Sequence, residues 1–452
     1  MPMHPGRLPL RTRALAGGDG RRHGRKGQGA ARGTPGDPRP AMNVWIVNPF
    51  DPLPGDPEQE GRYAALARQL AARGHGVTWW TSAFSHRFKR PVDQGAIVAA
   101  CRPLGVEVRF LAGPPYERNV SLARLMNHRR LVREFAARTP RESRPPDVAV
   151  ASAPPPALAR EAVRLAHARG GKAVVDVQDL WPETFRRVLP LPGPLADAAL
   201  RPWRRAARQA YAEADALVGV ADAYVARAVE LGGAKPAAET IPLGVDVEAF
   251  DRAAAAGRCD RFAKPTGEFW LAYSGSLTRS YDCLTVLEAA ALLRQRAGRP
   301  WRLLVTGRGE LEPLAARFIR ERGLAGAELA GFLPRESYAY LLSQCDAAIN
   351  SAAPEALIYL PNKIFHYMAA GAAVLNGIAG QASRIVREAG CGIDFEAGRP
   401  DSLAAAAARL MDDPGACRAM GRAARRLAET QFDRRILYRR FVEIIERLGA
   451  GR

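Results

Sequence analysis

The chain has 452 residues, enough for two or three domains at roughly 150 residues each. Hydrophobic residues at 47% and charged ones at 25% are ordinary globular usage and exclude a wholly disordered protein. The formal charge is +20, from 66 Lys plus Arg against 46 Asp plus Glu. Residues 1–41 hold nine Lys/Arg and two Asp, so +7 belongs to this stretch and +13 to the rest. That remainder still asks for an acidic partner: phosphates, nucleic acid or an anionic membrane surface. Residues 1–41, rich in Gly, Arg and Pro, read as a disordered basic tail without the apolar core of a secretory signal or the Ser of a transit peptide. A translation start at Met42 is an equally good reading. No apolar run approaches the length of a spanning helix. The six cysteines, at 101, 259, 283, 345, 391 and 417, form no C-x-x-C, so neither a disulfide framework nor a thiolate metal site is expected, and a reducing cytosol fits best.

From Met42 the pattern alternates short apolar runs with amphipathic helices. Strands are expected at 43–48, 77–81, 106–111, 147–152, 172–177, 216–220 and 239–242. Between the first two, a Pro/Gly loop at 49–57 leads into a helix over 58–73, with Tyr63, Leu66, Ala67 and Leu70 on one face and Gly74 as the stop. The poorly periodic stretch 253–267 reads as a linker. Strand and helix then alternate again, with strands at 269–273, 301–306, 347–350, 373–375 and 392–395 and helices at 284–296 and 311–322. A last amphipathic helix, 433–448, carries Ile436, Phe441, Ile444, Ile445 and Leu448 on a common face. This is an α/β chain with two doubly wound, Rossmann-like domains in succession, a first over 42–255 and a second over 256–432. A ligand belongs at the carboxyl ends of the strands, in the cleft between the two.

Three turns in the second half carry the chemistry. Ser274-Gly-Ser-Leu277 follows a strand, and its small residues let the amides around Gly275, Ser276 and Leu277 approach an anion. Thr306-Gly-Arg-Gly-Glu310 puts Arg308, beside Gly307, at the same sheet edge, in reach of a phosphate. It lacks the third glycine of a dinucleotide fingerprint, so nicotinamide binding is weakly supported. The segment from Asn350 to Gly371 runs from strand to loop to a helix opening near Pro361, where the missing proline N–H costs nothing. With the amides that follow Pro361 and the charge of Lys363, this outlines a diphosphate site.

These segments resemble the C-terminal half of the family 4 glycosyltransferases: Tyr273-Ser-Gly-Ser-Leu-Thr-Arg-Ser-Tyr-Asp282, Val305-Thr-Gly-Arg-Gly309 and Leu360-Pro-Asn-Lys-Ile-Phe-His-Tyr-Met-Ala-Ala-Gly371. In the first half, Gly74-His-Gly-Val-Thr78, Asp176-Val-Gln-Asp-Leu-Trp-Pro-Glu183, Ala214-Asp-Ala-Leu-Val218 and Ile241-Pro-Leu-Gly-Val-Asp246 resemble that family's motifs in the same order. The likeness spans about residues 42–448 and is strongest to the branch that builds bacterial surface polysaccharides. It implies a GT-B fold with a central cleft, and a final helix (433–452) that crosses back to the first domain. It also implies retaining transfer from a UDP- or GDP-linked sugar, with no metal and no cofactor besides that donor substrate. Arg308 and Lys363 would neutralise the departing diphosphate, helped by the amides of Ser276 and Leu277 and by the turn through Pro361 and Asn362. The family's pair of Glu residues falls here on Ile358 and His366. His366 is expected at the ribose, and Glu355 is a substitute for the first Glu.

For the acceptor, Gly61 opens the first long helix and Arg62 follows it, placed for a phosphate. His86 and Arg87 sit in a basic aromatic loop over the cleft. Asp179 is either the group that orients the attacking hydroxyl or a helix cap, and Glu183 lies beside it. The run 184–211 mixes apolar residues with Arg, as a basic-edged helix or a membrane-interfacial segment does. The expected partners are a nucleotide sugar, a sugar or lipid-linked acceptor and an anionic membrane surface, with no nucleic acid. The expected place is the cytoplasm, peripheral on the inner face of the cell membrane. A nucleotide-sugar epimerase of the same fold and a non-catalytic scaffold are the alternatives.

Overall fold

The structure, a computed structural model, describes residues 41–54, 61–119, 121–188, 191–235, 237–296 and 298–451. The basic tail 1–40, and residues 55–60 of the Pro/Gly loop and the following helix, lie outside the described residues.

The first half contains β1 (Asn43–Val47), α1 (Arg62–Ala72), β2 (Gly76–Ser82), a small hairpin of β3 (Phe84–Ser85) and β4 (Arg90–Pro91), α2 (Gln94–Cys101), β5 (Val106–Leu111) and α3 (Leu122–Arg138). It continues with β6 (Val148–Ala153), α4 (Pro156–Ala168), β7 (Lys172–Val177), α5 (Glu183–Val188), α6 (Gly193–Glu213), β8 (Ala216–Gly219), α7 (Asp222–Gly232) and β9 (Ala237–Thr240). Seven of these strands form one sheet in the order β5-β2-β1-β6-β7-β8-β9, and every pair is parallel. Strands such as Val-Ala-Val-Ala-Ser-Ala in β6 are buried along their whole length because helices cover both faces.

The second half begins with α8 (Val247–Ala256) and β10 (Phe269–Ser274), then α9 (Cys283–Arg296), β11 (Trp301–Thr306), α10 (Glu312–Glu321), β12 (Ala327–Gly331), α11 (Arg335–Gln344) and β13 (Ala347–Asn350). It ends with α12 (Lys363–Ala369), β14 (Ala373–Asn376), α13 (Gln381–Glu388), β15 (Gly392–Asp394), α14 (Pro400–Asp412), α15 (Pro414–Thr430) and α16 (Arg434–Ala450). Its six parallel strands run β12-β11-β10-β13-β14-β15, so the order reverses between β10 and β13. The loops that leave those two strands flank the crevice where an open α/β sheet takes its ligand.

Two expectations change. The stretch read as a linker from 253 begins inside a helix: Asp246 caps α8 by accepting from the Ala249 amide at 2.8 Å, and Phe250 and Ala253 are buried as α8 packs on α11. The all-alanine last turn hid this helix from a periodicity reading. In α16, Leu437, Tyr438, Phe441, Ile444 and Ile445 are buried, but Ile436 is exposed. α16 lies against α1, and the Tyr438 hydroxyl donates to the Leu243 carbonyl at 2.8 Å. At its far end buried Glu446 accepts from Arg73 at 2.8 Å and lies 3.2 Å from His75 Nε2. Gly244, at φ +60, is required where the chain passes α16, since a Cβ there would sit 2.6 Å from Leu437 Cδ1.

Candidate active site

A cavity of about 760 Å³ opens between the lobes, at the carboxyl ends of β10 and β11. Five cations line it, Arg87, Arg308, Arg335, Lys363 and Arg434, against one carboxylate, Asp246, which is the cap of α8. Two glycine turns build its floor. A Cβ at Gly307 would lie 1.8 Å from the Gly275 carbonyl oxygen, so the turns stack only because residue 307 lacks one. Gly275 (φ +143) and Gly307 (φ +133) also adopt backbone angles that other residues avoid. The Gly275 amide donates to Thr306 O at 3.1 Å and the Leu277 amide to Arg308 O at 2.9 Å. From below, the Ser274 amide donates to the Tyr367 hydroxyl at 2.9 Å, and Ser274 Oγ lies 3.0 Å from the Tyr338 hydroxyl.

This geometry corrects the expected role of Leu277. Its amide is committed to Arg308 O and its side chain is core, so within this turn the Ser276 amide is the one left for a ligand among the described residues.

Lys363 comes up beneath the Gly275 turn, where a Cβ on that glycine would meet its Cδ at 3.9 Å. The side chain is buried. Nζ donates to Ser351 O at 3.0 Å and lies 4.6 Å from the Tyr273 ring centre and 5.1 Å from that of Tyr281. No carboxylate bonds it among the described residues. Burial pushes its pKa down to about 7, with Cys283 and Asp282 pulling weakly the other way. It is therefore not the standing full charge that the sequence implies, and an arriving diphosphate is what would fix its proton. The helix behind it starts at Lys363, two residues later than the expected Pro361. Pro361 and Asn362 line the cavity, and the buried Asn362 Oδ1 has no partner among the described residues.

Arg308 is exposed at the rim, its guanidinium 5.8 Å from the Phe332 ring centre. His366 lines the wall beside Tyr338 and Phe250. Burial, with the fields of Arg434 and Arg335, depresses it to about 3, so it stays neutral, with one donor and one acceptor nitrogen. Glu355 does not line the cavity: it is exposed in the loop after β13, on the side of Asp282. That loop is held across the cleft, where the Tyr224 hydroxyl donates to the Leu357 carbonyl at 3.2 Å, which leaves Glu355 outside.

On the first lobe several expected acceptor residues prove to be internal. Arg62 is buried and makes a two-pronged ion pair with Asp176 at 2.8 and 3.1 Å. It also donates to Ile241 O at 2.8 Å and lies over the rings of Tyr438 and Phe441, so it locks α1, β7 and α16 together and offers nothing to an acceptor phosphate. Gly61 faces chain, not open space: a Cβ there would be 2.8 Å from Pro52 O. Glu183 is tied to Arg227 at 2.7 Å. Asp179 accepts from its own turn, from the Leu180 amide at 2.7 Å, Thr184 Oγ1 at 3.0 Å and Trp181 Nε1 at 3.1 Å, so its oxygens hold that turn together and it is neither the cap of α5, which begins at Glu183, nor a free base. Arg87 does reach the cavity, stacked 5.7 Å from Phe332 of the second lobe, while His86 turns inward to the Tyr116 hydroxyl at 2.6 Å. Arg335 and Arg434, which no local motif announces, complete the cationic wall.

In the interfacial candidate 184–211, Phe185 and Leu200 are buried with Trp181, whereas Leu191 and Leu195 are exposed. Among the described residues no helix is long and apolar enough to cross a membrane.

Two doubly wound parallel lobes with a cation-lined cavity at the second lobe's switch point define the GT-B class of glycosyltransferases. Comparison with known families places the chain further. The Glycosyltransferase Family 4 model matches residues 60–249 and the Glycosyl transferases group 1 model residues 268–413, so both lobes match glycosyltransferase families and the chain is a glycosyltransferase. None of the curated proteins matches it. Among solved structures, Anabaena Alr3699/HepE in complex with UDP is similar at 15% identity and a TM-score of 0.65, over 89% of this chain and 99% of that one. WaaG, a glycosyltransferase involved in lipopolysaccharide biosynthesis, gives 15%, 0.64, 89% and 99%. Sucrose-phosphate synthase (tll1590) from Thermosynechococcus elongatus gives 15%, 0.64, 91% and 100%. At this identity the likeness is one of fold.

Proposed function

We propose that the protein moves a sugar from a nucleotide-diphosphate sugar to an acceptor, with retention at the anomeric carbon, in the assembly of a surface polysaccharide or glycolipid. The observation that carries this reading is Lys363, a buried lysine bonded by no carboxylate among the described residues, set under the Gly275 turn with Arg308 at the rim of the same cavity. The diphosphate of the donor would lie over the paired glycine turns. Lys363, Arg308 and the Ser276 amide would take up the charge that grows as the bond from the anomeric carbon to phosphate oxygen breaks. The only carboxylate among the described lining residues caps α8, so the proton of the attacking hydroxyl goes to the departing phosphate oxygen. HepE is described in complex with UDP-glucose and WaaG in lipopolysaccharide biosynthesis, which favours a uridine donor and an envelope acceptor here. Exposed Leu191 and Leu195 on the Arg-rich segment, with Leu122 and Met126 on α3, support a peripheral seat on an anionic membrane.

The test is a thermal-shift and calorimetry panel of UDP-, GDP-, ADP- and dTDP-sugars, followed by NMR of the product's anomeric configuration. A folded protein that binds none of them would overturn the reading, and an inverted product would remove the retaining assignment.

A further inference from the structure

A second basic cluster lies in the first lobe, on α3 and the hairpin loop after β2, among aromatic rings from the loops that follow β1, β5 and β7. Arg124 is its centre, only 8% exposed. Its guanidinium carbon is 4.9 Å from the Trp181 ring centre, with Phe50, Phe185 and Tyr116 at 5.8, 5.9 and 6.0 Å. Nη1 donates to Asn119 O at 2.6 Å, but buried Nε has no partner among the described residues. One turn further along α3, His128 is 7% exposed and its buried Nε2 is equally unpartnered. The i, i+4 spacing puts both on one helix face. Lys89 Nζ approaches from the hairpin loop, 3.3 Å from His86 Nδ1 and 4.9 Å from the Tyr116 ring centre.

The carboxylate whose field reaches Arg124 is Asp179, and its oxygens are already committed to its own turn. Burying a cation without a counter-ion is costly, and aromatic faces offset only part of that cost. Burial and the charge of Arg124 drive His86 and His128 down to about 3 and Lys89 to about 8. Lys89 Nζ also donates to Asn119 Oδ1 at 2.6 Å, and an anion would supply the counter-charge that no carboxylate bonded to Arg124 provides among the described residues. The cluster adjoins the donor cavity: the field of Asp179 also reaches Tyr281 on the cavity wall, and Arg87, next to His86, lines that cavity.

We propose that this box seats a phosphate group of the acceptor, held by Arg124 Nε, His128 Nε2 and Lys89 Nζ. The inference rests on the transferase reading and adds to it the chemical feature by which the acceptor is recognised.

The experiment uses the full chain saturated with UDP, so that the donor cavity is filled. Glucose 1-phosphate and geranyl diphosphate are then titrated by calorimetry. The parent protein is expected to bind at least one of them, weakened roughly tenfold or more by Arg124→Gln and several-fold by Lys89→Gln, with UDP affinity unchanged. Tighter binding of the geranyl compound identifies a lipid-linked acceptor, and comparable binding a soluble sugar phosphate. Should Arg124→Gln fail to fold, half-exposed Lys89 and a His128→Phe variant decide the matter. Binding of neither probe at millimolar concentration to UDP-saturated protein, or parental affinity in these variants, overturns the proposal. Failure to bind UDP itself would instead bring down the donor reading beneath it.

Discussion

Arg62 and Lys363 are both buried cations, one in each lobe, and their surroundings differ in kind. Arg62 has a carboxylate on two prongs, a backbone carbonyl and two aromatic faces, all supplied by the protein. Lys363 has one carbonyl and two aromatic faces, and no carboxylate among the described residues. A cation whose counter-charge is internal holds the fold together. One left without it is a site awaiting an anion, and until the ligand arrives burial favours its neutral form where its proton can leave, as at Lys363. Arg124 belongs with Lys363 by the same test.

The largest effect should come from Arg62→Met. It strands Asp176 at the centre of the first lobe, and urea denaturation should show a loss of about 3–5 kcal/mol. A variant as stable as the parent would break the comparison at its structural end. Lys363→Met should do the reverse, lowering turnover by about 10²–10³-fold while leaving the denaturation midpoint unchanged or raised. A Lys363→Met protein that unfolds as readily as the Arg62 variant would erase the distinction.

The pH dependence sharpens it. Free Lys363 titrates at about 7, well below an ordinary lysine. Above that pH the donor must bring the proton back with it, so donor affinity should fall by up to about tenfold per pH unit. Over the same window the unfolded chain binds more protons than the native one, so the ligand-free protein should gain stability as pH rises from about 7 towards 10. Calorimetry and denaturation across that range should show the two opposite slopes, and Lys363→Met should flatten both. Arg308→Ala, at an exposed rim position, should weaken UDP binding by about tenfold with no change in stability. Smallest of all, Glu355→Gln should leave donor KM within about twofold, since an exposed side chain off the cavity forfeits little. A larger loss would bring Glu355 back into the site.

Strands were legible where apolar residues ran together or alternated between turn residues: Val106–Leu111, Lys172–Val177, Trp301–Thr306 and Ala347–Asn350 fall on their expected residues. β12, whose sequence is Ala-Glu-Leu-Ala-Gly, carried no such signal and was not anticipated. Lys363, Gly275, Gly307 and Arg308 could be marked from the chain because each sits at a strand-to-helix turn, where backbone geometry and ligand position are set by neighbours in sequence. What the sequence alone determined, then, is the two-lobe architecture and the turns that floor the cavity, both of which depend on local pattern. Which buried cation has a counter-ion depended on residues far apart. Asp176 is 114 positions from Arg62, Arg335 and Arg434 reach the cavity from distant helices, and Arg124 meets its aromatic box through three separate segments. Coulomb energy falls with distance in space and is indifferent to distance along the chain, so only the folded arrangement could separate the charges that build from the charges that bind.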